Sequence, residues 1–185
     1  LRSCVNCHGA DGTGTADGPS LRTSGEAMTY FYLRTGRMPL AVPVPQPPAK
    51  PPAFNDGEIR DLVAYVGSLC LPGNPCPPVP EVHVDEEKLA EGQELFLANC
   101  AACHNSSGVG GALSYGRVAP SLQQTPATQV AEAVRTGPGQ MPQFGTDVLT
   151  DEQLDAIVSY VQYLHEPESP GGLPLGFTGP VAEGF

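Results

Sequence analysis

The sequence predicts an all-α protein built from two tandem copies of one small helical unit. One observation is that the frame C-x-x-C-H occurs twice, as CVNCH from Cys4 and as CAACH from Cys100. Another is that four further blocks follow each frame in the same order: GPSL and APSL, RTG and RTG, GRMP and GQMP, IRDLVAYVGSL and LDAIVSYVQYL. Blocks that recur in one order indicate a duplicated unit rather than chance.

The last block of each copy has the pattern of an amphipathic helix. Its apolar residues recur at i, i+3, i+4 and i+7 through residues 59–69 and again through 154–164, which is the spacing of one helix face. Residues that form N-terminal capping pairs precede both segments. These pairs are Asn55 with Glu58 and Thr150 with Gln153.

Three more helices are predicted from local patterns. Two precede the RTG blocks, at about 25–35 and 126–136. A third precedes Cys100, with acidic residues in its first turn, where the helix dipole favours them. Its apolar side is predicted to carry Leu89, Gln93, Phe96 and Leu97. The first copy starts three residues before Cys4, so we expect the equivalent helix to lie upstream of this sequence.

Pro- and Gly-rich segments predict the boundaries of the two units. The first unit is predicted over residues 1–70, a stiff linker over 71–84 and the second unit over 85–166. The run PLAVPVPQPPAKPP within 39–52 cannot be helical, because proline lacks the amide donor that a helix needs. Residues 167–185 form a Gly/Pro-rich tail that we expect to be irregular.

The C-x-x-C-H frame is typical of covalent haem c attachment. Two thiols spaced by two residues can add to the two vinyl groups of one porphyrin, and the adjacent histidine then supplies an axial ligand to the iron. Two frames therefore predict two covalently attached haem c groups, held by Cys4, Cys7, His8, Cys100, Cys103 and His104. One alternative is a shared zinc site that pools these residues, and another is a redox dithiol.

A second axial ligand for each iron is predicted from the repeat. Met38 and Met141 lie in matching TGRMP and TGPGQMP contexts, and methionine with histidine is a known haem ligand pair that raises the reduction potential. Met28 has no counterpart in the second copy and is predicted to pack in a helix. His83 and His165 offer a bis-histidine alternative, although they lie in the linker and after a helix end.

The prolines of the PSL blocks are predicted to position the two histidines. A metal-bound histidine usually donates its second ring N–H to a carbonyl, which fixes the tautomer. The carbonyls of Pro19 and Pro120 could accept these bonds from His8 and His104. The competing interpretation is that each proline simply forms a turn.

Charge excludes some partners and suggests others. The formal net charge is −11, and residues 85–185 hold three Arg/Lys against thirteen Asp/Glu. Nucleic acid would be repelled by such a chain. The acidic second half either keeps the protein soluble or docks on a basic surface, with Asp151, Glu152 and Asp155 as candidate contacts. No segment reaches the roughly 20 apolar residues that span a bilayer.

Taken together, these motifs resemble tandem class I cytochrome c domains, over nearly all of residues 1–166. More closely, the chain resembles the dihaem cytochrome cc subunit of the actinobacterial menaquinol:cytochrome c oxidoreductase, the cytochrome bc complex. The stretches SCVNCHGADG, TGRMP, LFLANCAACHNSSGVGGALSYGRVAPSL and SPGGLPLGFTGPVAEGF carry this resemblance. In that family the last stretch leads into a membrane helix, so we expect membrane anchors outside this sequence.

The resemblance implies an electron relay with no substrate site of its own. The Rieske centre would reduce the first haem, and the second haem would reduce the copper-centre subunit of an aa-type terminal oxidase. The cytochrome b and Rieske subunits would be partners at the extracytoplasmic face of the membrane. The alternatives are a soluble dihaem shuttle or the cytochrome subunit of a periplasmic dehydrogenase.

Cys70 and Cys76 do not belong to the family pattern. They flank the turn-rich loop LPGNP, and haem c is attached outside the cytoplasm, where disulfides persist. We therefore predict a disulfide that ties the end of the first unit's last helix to the linker; the alternative is two free thiols.

Overall fold

A computed structural model describes residues 4–73 and 76–167 of the chain. The predicted tail, residues 167–185, therefore lies outside the described residues except for residue 167. By its contacts the chain divides into two compact bodies, whose bounds differ from those of the two predicted units. One consists of Leu1–Glu81 and Ala131–Leu149, and the other of Val82–Val130 and Thr150–Phe185.

Helices dominate the described residues, as the sequence predicts. The α-helices are α1 (Val5–His8), α2 (Gly25–Arg34), α3 (Asp56–Ser68), α4 (Leu89–Asn99), α5 (Ala101–His104), α6 (Ala127–Thr136) and α7 (Asp151–Tyr163). Short 3-10 turns occupy Glu86–Lys88 and Ser114–Gly116. A two-stranded antiparallel hairpin, β1 (Gly111–Ala112) and β2 (Val118–Ala119), is a feature that the sequence patterns did not predict.

The capping signals predicted from the sequence are confirmed. The Asn55 side chain accepts a hydrogen bond from the amide of Glu58, and the Glu58 carboxylate accepts one from the amide of Asn55. Thr150 and Gln153 form the same reciprocal pair at the start of α7. Each box provides partners for amides that the helix itself cannot satisfy, so both helices begin at defined residues.

In the first unit, α2 packs against α3 around a small apolar cluster. Leu33 from α2 and Ile59 and Val63 from α3 form its buried centre, and Met38 and Phe54 pack against its edge. The Pro-rich residues 39–52 have no regular structure, as predicted. None of the helices among the described residues is long and apolar enough to cross a membrane.

The predicted disulfide between Cys70 and Cys76 is present. It follows the end of α3 and brings the next stretch of chain against the start of α2. A side chain at Gly25 would lie 2.9 Å from the backbone of Cys76, and the Ala27 amide donates to the Pro77 carbonyl at 3.1 Å. The bridge thus joins α2 and α3 to the segment that follows α3.

In the second unit, α4 crosses α7 at a glycine. A side chain at Gly92 would lie 2.0 Å from the Ala156 carbonyl oxygen, and the rings of Phe96 and Tyr160 pack with centroids 5.5 Å apart. The predicted apolar side of this helix was wrong in part, because Gln93 is exposed and Leu97 is 46% exposed. Close backbone approach at Gly92 rotates the helix so that Gly92 and Phe96 form the contact.

We expect Gly92→Ala to destabilise the second unit by about 2–3 kcal/mol, although alanine favours helices more than glycine does. The added methyl group meets backbone, which cannot move aside as a flexible side chain would. Denaturant unfolding of the purified protein measures this loss. Gly57→Ala in α3 is the control, because its methyl group would meet only side-chain atoms, the nearest at 3.2 Å. Equal stability changes in the two variants would contradict the close crossing.

Candidate functional site

The first C-x-x-C-H frame is a single turn of helix. The His8 amide donates to the Cys4 carbonyl at 2.9 Å, so Cys4 and Cys7 lie three residues apart on one turn and share one side of it. Gly9 ends the turn with a φ of 78°, a conformation that glycine adopts without steric cost. This geometry presents two thiols and an imidazole within one short element.

Hydrogen bonds from two directions hold this turn in place. The Nδ1 atom of His8 lies 2.8 Å from the Pro19 carbonyl oxygen, and the Thr15 hydroxyl donates to the Cys7 carbonyl at 2.7 Å. With a carbonyl as its partner, Nδ1 must be the protonated nitrogen. In the neutral ring the lone pair then lies on Nε2, which is the tautomer that a metal-binding imidazole requires.

The second frame repeats this arrangement. The His104 amide donates to the Cys100 carbonyl at 2.9 Å, and Nδ1 of His104 lies 3.0 Å from the Pro120 carbonyl oxygen. Asn105, with a φ of 66°, takes the place of Gly9, as asparagine tolerates the left-handed region better than most residues. His104 is buried, and burial lowers its pKa, which favours the neutral imidazole.

A glycine after each frame lies against an equivalent pair of leucines in the two copies. A side chain at Gly12 would lie 2.8 Å from Leu69 and 3.6 Å from Leu21, and one at Gly108 would lie 3.1 Å from Leu164 and 3.6 Å from Leu122. In each copy the PSL leucine donates its amide to this glycine's carbonyl, at 2.8 and 2.7 Å. The two frames therefore lie in equivalent local scaffolds.

Before each predicted methionine ligand lies a position that only glycine can occupy, because a side chain there would collide with the backbone. A side chain at Gly36 would lie 2.1 Å from the Lys50 carbonyl oxygen, and one at Gly137 would lie 2.7 Å from the Gln143 amide. Both glycines have a positive φ, of 63° and 62°. The RTG blocks are thus the places where the methionine loops turn back. Met38 and Met141 are half-buried, and Met38 packs at the edge of the apolar cluster described above.

These residues fit haem c better than they fit zinc. The cysteines of both frames are unbridged and available to form thioether bonds. Each histidine presents Nε2 as its unprotonated nitrogen, as an iron ligand must. A shared zinc site needs four such ligands close together, whereas no group of three or more His, Cys, Asp or Glu side chains within residues 4–73 and 76–167 could hold a metal ion.

His83 and His165 have backbone contacts in place of the bis-histidine role that the sequence left open. His83 is exposed, and its amide donates to the Asp155 carboxylate at 3.0 Å. Nε2 of His165 lies 3.0 Å from the Leu122 carbonyl oxygen. Asp155 itself is only 9% exposed, so the expectation that it lies on a docking surface was wrong. Its carboxylate instead anchors the chain that enters α4.

Glu132 on α6 is the unusual residue that sequence reasoning missed. It is fully buried, and neither of its carboxylate oxygens has a hydrogen-bond partner among the residues that the structure describes. Burial alone raises its pKa to about 8. A signal was available in the repeat, because aligning the RTG blocks places Glu132 opposite the buried Phe31. A carboxyl group in a slot that is apolar in the other copy is a candidate for unusual protonation.

Comparison with known families matches both copies to cytochromes. Residues 1–69 match the family model described as cytochrome c, and residues 87–161 match the model described as cytochrome C oxidase, cbb3-type, subunit III. The chain therefore consists of two cytochrome c domains, a fold class in which haem c is bound covalently. The prediction of tandem cytochrome c domains is confirmed.

Curated relatives extend this match to nearly the whole chain. The cytochrome bc1 complex cytochrome c subunit of Mycobacterium tuberculosis (strain ATCC 25618 / H37Rv) is 42% identical over 99% of this chain and 67% of its own length. The subunit of the same name from Corynebacterium diphtheriae is 35% identical over 99% of this chain and 70% of its own length. The solved structure of reduced recombinant cytochrome c4 from Pseudomonas stutzeri aligns with 86% of this chain and 92% of its own chain. The two are 22% identical, with a TM-score of 0.32. On the strength of the two sequence relatives, this chain belongs to the family of electron-transferring cytochrome c subunits of the cytochrome bc1 complex.

Proposed function

We propose that the chain binds two haem c groups and relays single electrons between them. Cys4 and Cys7 hold one haem and Cys100 and Cys103 the other. His8 with Met38 would bind one iron, and His104 with Met141 would bind the other. When bound, each haem supplies a reversible one-electron Fe(III)/Fe(II) couple. The proposed domain that binds each haem spans residues 1–70 or 85–166, the bounds predicted from the sequence.

The observation that carries this proposal is the duplication of the whole scaffold. Each copy contains the frame, the histidine whose Nδ1 bonds a PSL proline carbonyl, and the glycine turn that leads to a methionine. A chain that needed one electron carrier and one structural domain would have no reason to keep all of these features twice. Two complete scaffolds support two redox centres.

The protein's own groups have defined tasks in such a relay. The carbonyls of Pro19 and Pro120 hold the histidine rings in one orientation, so that Nε2 of each ring would stay available to an iron. Two protein ligands leave no open position for a substrate, so these groups support electron transfer and not bond-forming chemistry. This agrees with a carrier that has no substrate site.

We propose that the electrons pass from a Rieske centre to the first haem, and from the second haem to the copper centre of an aa-type oxidase. The proposed site of action is the extracytoplasmic face of the membrane, beside the cytochrome b subunit. The disulfide between Cys70 and Cys76 supports this location, since disulfides persist in oxidising compartments. The unequal charge of the two halves supports different partners at the two haems.

We expect the purified protein to carry two haems and no reactive thiol. The four frame cysteines would be thioethers and the other two are bridged. Intact mass should exceed that of the polypeptide by two haem masses after acid denaturation. The double variant Cys4→Ala/Cys7→Ala should lose one haem, while Cys70→Ala/Cys76→Ala should lose none. A single haem in the unmodified protein would contradict the proposal.

The relay itself is tested by quinol oxidation coupled to oxygen consumption in membranes. Oxygen consumption should fail when either frame loses its haem, because each lies on the only proposed route. Replacing the exposed carboxylates Glu91 and Glu94 with lysine should slow docking on a basic partner and weaken the dependence of docking on salt. Asp61→Lys on the first unit is the matched control. Unchanged oxygen consumption after loss of the second haem would favour a different electron acceptor.

A further inference from the structure

The second copy carries a β-hairpin that the first copy lacks. The segment between the frame's glycine and the PSL leucine is five residues longer from Gly108 to Leu122 than from Gly12 to Leu21. The extra residues lie between Gly111 and Ala119, which pair with each other, and they extend this pairing into the hairpin of β1 and β2. At the same place the first copy has an isolated bridge between Thr15 and Gly18. The insertion is therefore an addition to the common scaffold.

The tip of this hairpin holds an aromatic side chain in a backbone conformation that suits asparagine or glycine. Tyr115 has a φ of 61° and a ψ of 34°, and Gly116 follows with a φ of 71°. Consecutive positive φ angles belong to tight hairpin turns in which Asn-Gly is preferred. A bulky residue is strained there, and strain at a surface position suggests a use outside the fold.

No packing within the described part of the unit compensates for this strain. The Tyr115 side chain is 95% exposed, and Val118 beside it is 52% exposed. Exposed aromatic side chains that stand next to other apolar groups are typical of sites that bind another protein. Tyrosine is also one of the residues that most often dominate binding energy at interfaces.

The hairpin is an almost uncharged surface within an acidic half of the chain. Residues 105–125 contain one charged side chain, Arg117, whereas residues 85–185 have a net charge of −10. A partner that binds the tip would not need a basic surface at that point. It would need an apolar pocket, and an acidic group near that pocket would complement Arg117.

The hairpin also lies directly against the second frame. A side chain at Gly111 would lie 3.3 Å from the Cys103 carbonyl oxygen. Strand β2 ends at Ala119, immediately before Pro120, whose carbonyl bonds His104. A protein bound at the tip would therefore sit beside the residues that hold the second haem, where an electron must cross.

We propose that Tyr115 anchors an electron-transfer protein to the second unit, by inserting its ring into an apolar pocket of that protein. This inference rests on the proposed function, because it assumes that the second haem exchanges electrons with a protein partner. The acidic residues of the unit steer the encounter, and the apolar tip then holds the complex. Steering acts mainly on the association rate, whereas a buried anchor acts on the dissociation rate.

The test uses the holoprotein and an immobilised soluble copper-centre domain of an aa-type oxidase as the probe. Tyr115→Ser should raise the dissociation rate at least tenfold and leave the slope of association rate against salt unchanged. Tyr115→Phe should stay within about threefold of the unmodified protein, since the ring is kept. Tyr65→Ser, which removes another exposed tyrosine from α3, should have no effect.

Tyr115→Asn separates anchoring from folding. Asparagine suits the turn, so this variant should melt a few degrees higher and still dissociate at least tenfold faster. A dissociation rate within twofold of normal for Tyr115→Ser would overturn the proposal. So would Tyr115-dependent sedimentation with phosphatidylglycerol vesicles, which would assign the tip to a lipid surface. If the unmodified holoprotein bound the copper domain but did not reduce it, the proposed function would fail while the docking site stood.

Discussion

Replacing Met38 with histidine should lower the reduction potential of one haem by on the order of 0.1 V or more, and leave the other unchanged. A thioether favours ferrous iron more than an imidazole does, and axial ligands set haem potentials over a wide range. The oxidised protein should also lose about half of the weak red absorption band that sulfur–iron ligation produces. Met141→His should have the same effect on the other haem. Spectroelectrochemical titration resolves the two.

Met28→His provides the control for these variants. Met28 lies within α2 and has no counterpart in the second copy, so its replacement should leave both potentials and the red band unaltered. An unchanged band in Met38→His would contradict the ligand assignment. Loss of the whole band in one single variant would indicate that the two sites are not independent.

The second large effect is expected from Glu132→Gln, which should stabilise the protein at pH 8 and leave its stability unchanged at pH 4. Burial raises the pKa of Glu132 from 4.5 to about 8. Below pH 4.5 the carboxyl is neutral in both the folded and unfolded states. Between pH 4.5 and 8 only the unfolded state ionises, so the folded state binds more protons and loses stability as pH rises. Above pH 8 the loss is complete, and it amounts to roughly 4–5 kcal/mol.

Unfolding free energies of the unmodified protein and of Glu132→Gln, measured from pH 4 to pH 9, check this prediction. The difference between the two should grow between pH 4.5 and 8 and then level off. Glu152→Gln is the control, because hydrogen bonds from its own backbone amide and from the Thr150 side chain lower the pKa of that exposed carboxyl. Above pH 4.5, Glu152→Gln should therefore be less stable than the unmodified protein by a small difference that does not change with pH. A constant difference for Glu132→Gln would show that this carboxyl is ionised in the fold.

Much of the architecture could be predicted because the signals are local. The helix starts at Asn55 and Thr150 depend on residues three positions apart, so the sequence reveals them directly. The bonds of His8 and His104 to prolines were also foreseeable, since the repeat places a PSL block after each frame. The prediction that these residues, with Met38 and Met141, bind iron stays a prediction until the potentials are measured.

The features that were missed depend on contacts between distant residues. Gly92 looks like a poor helix residue until Ala156 is brought against it by the crossing of α4 and α7. Asp155 has the sequence context of a surface acid, but it accepts a bond from the His83 amide, 72 residues away. Glu132 likewise carries a carboxyl group in a fully buried position. Burial of a single charged residue is decided by tertiary packing, which local periodicity does not record.

The disulfide of the first unit has a consequence for how the chain matures. Of the chain's six cysteines, two are bridged to each other, while under the proposed function the other four have to stay reduced until they bond to haem vinyl groups. The bridged pair closes a loop over a sequence separation of six, and short loops cost little entropy to close. Oxidation between Cys70 and Cys76 can therefore outpace pairing between frames that are 96 residues apart in the chain. Removing Cys70 and Cys76 should therefore remove one set of mispaired disulfides that the frame thiols could form before the proposed haem attachment.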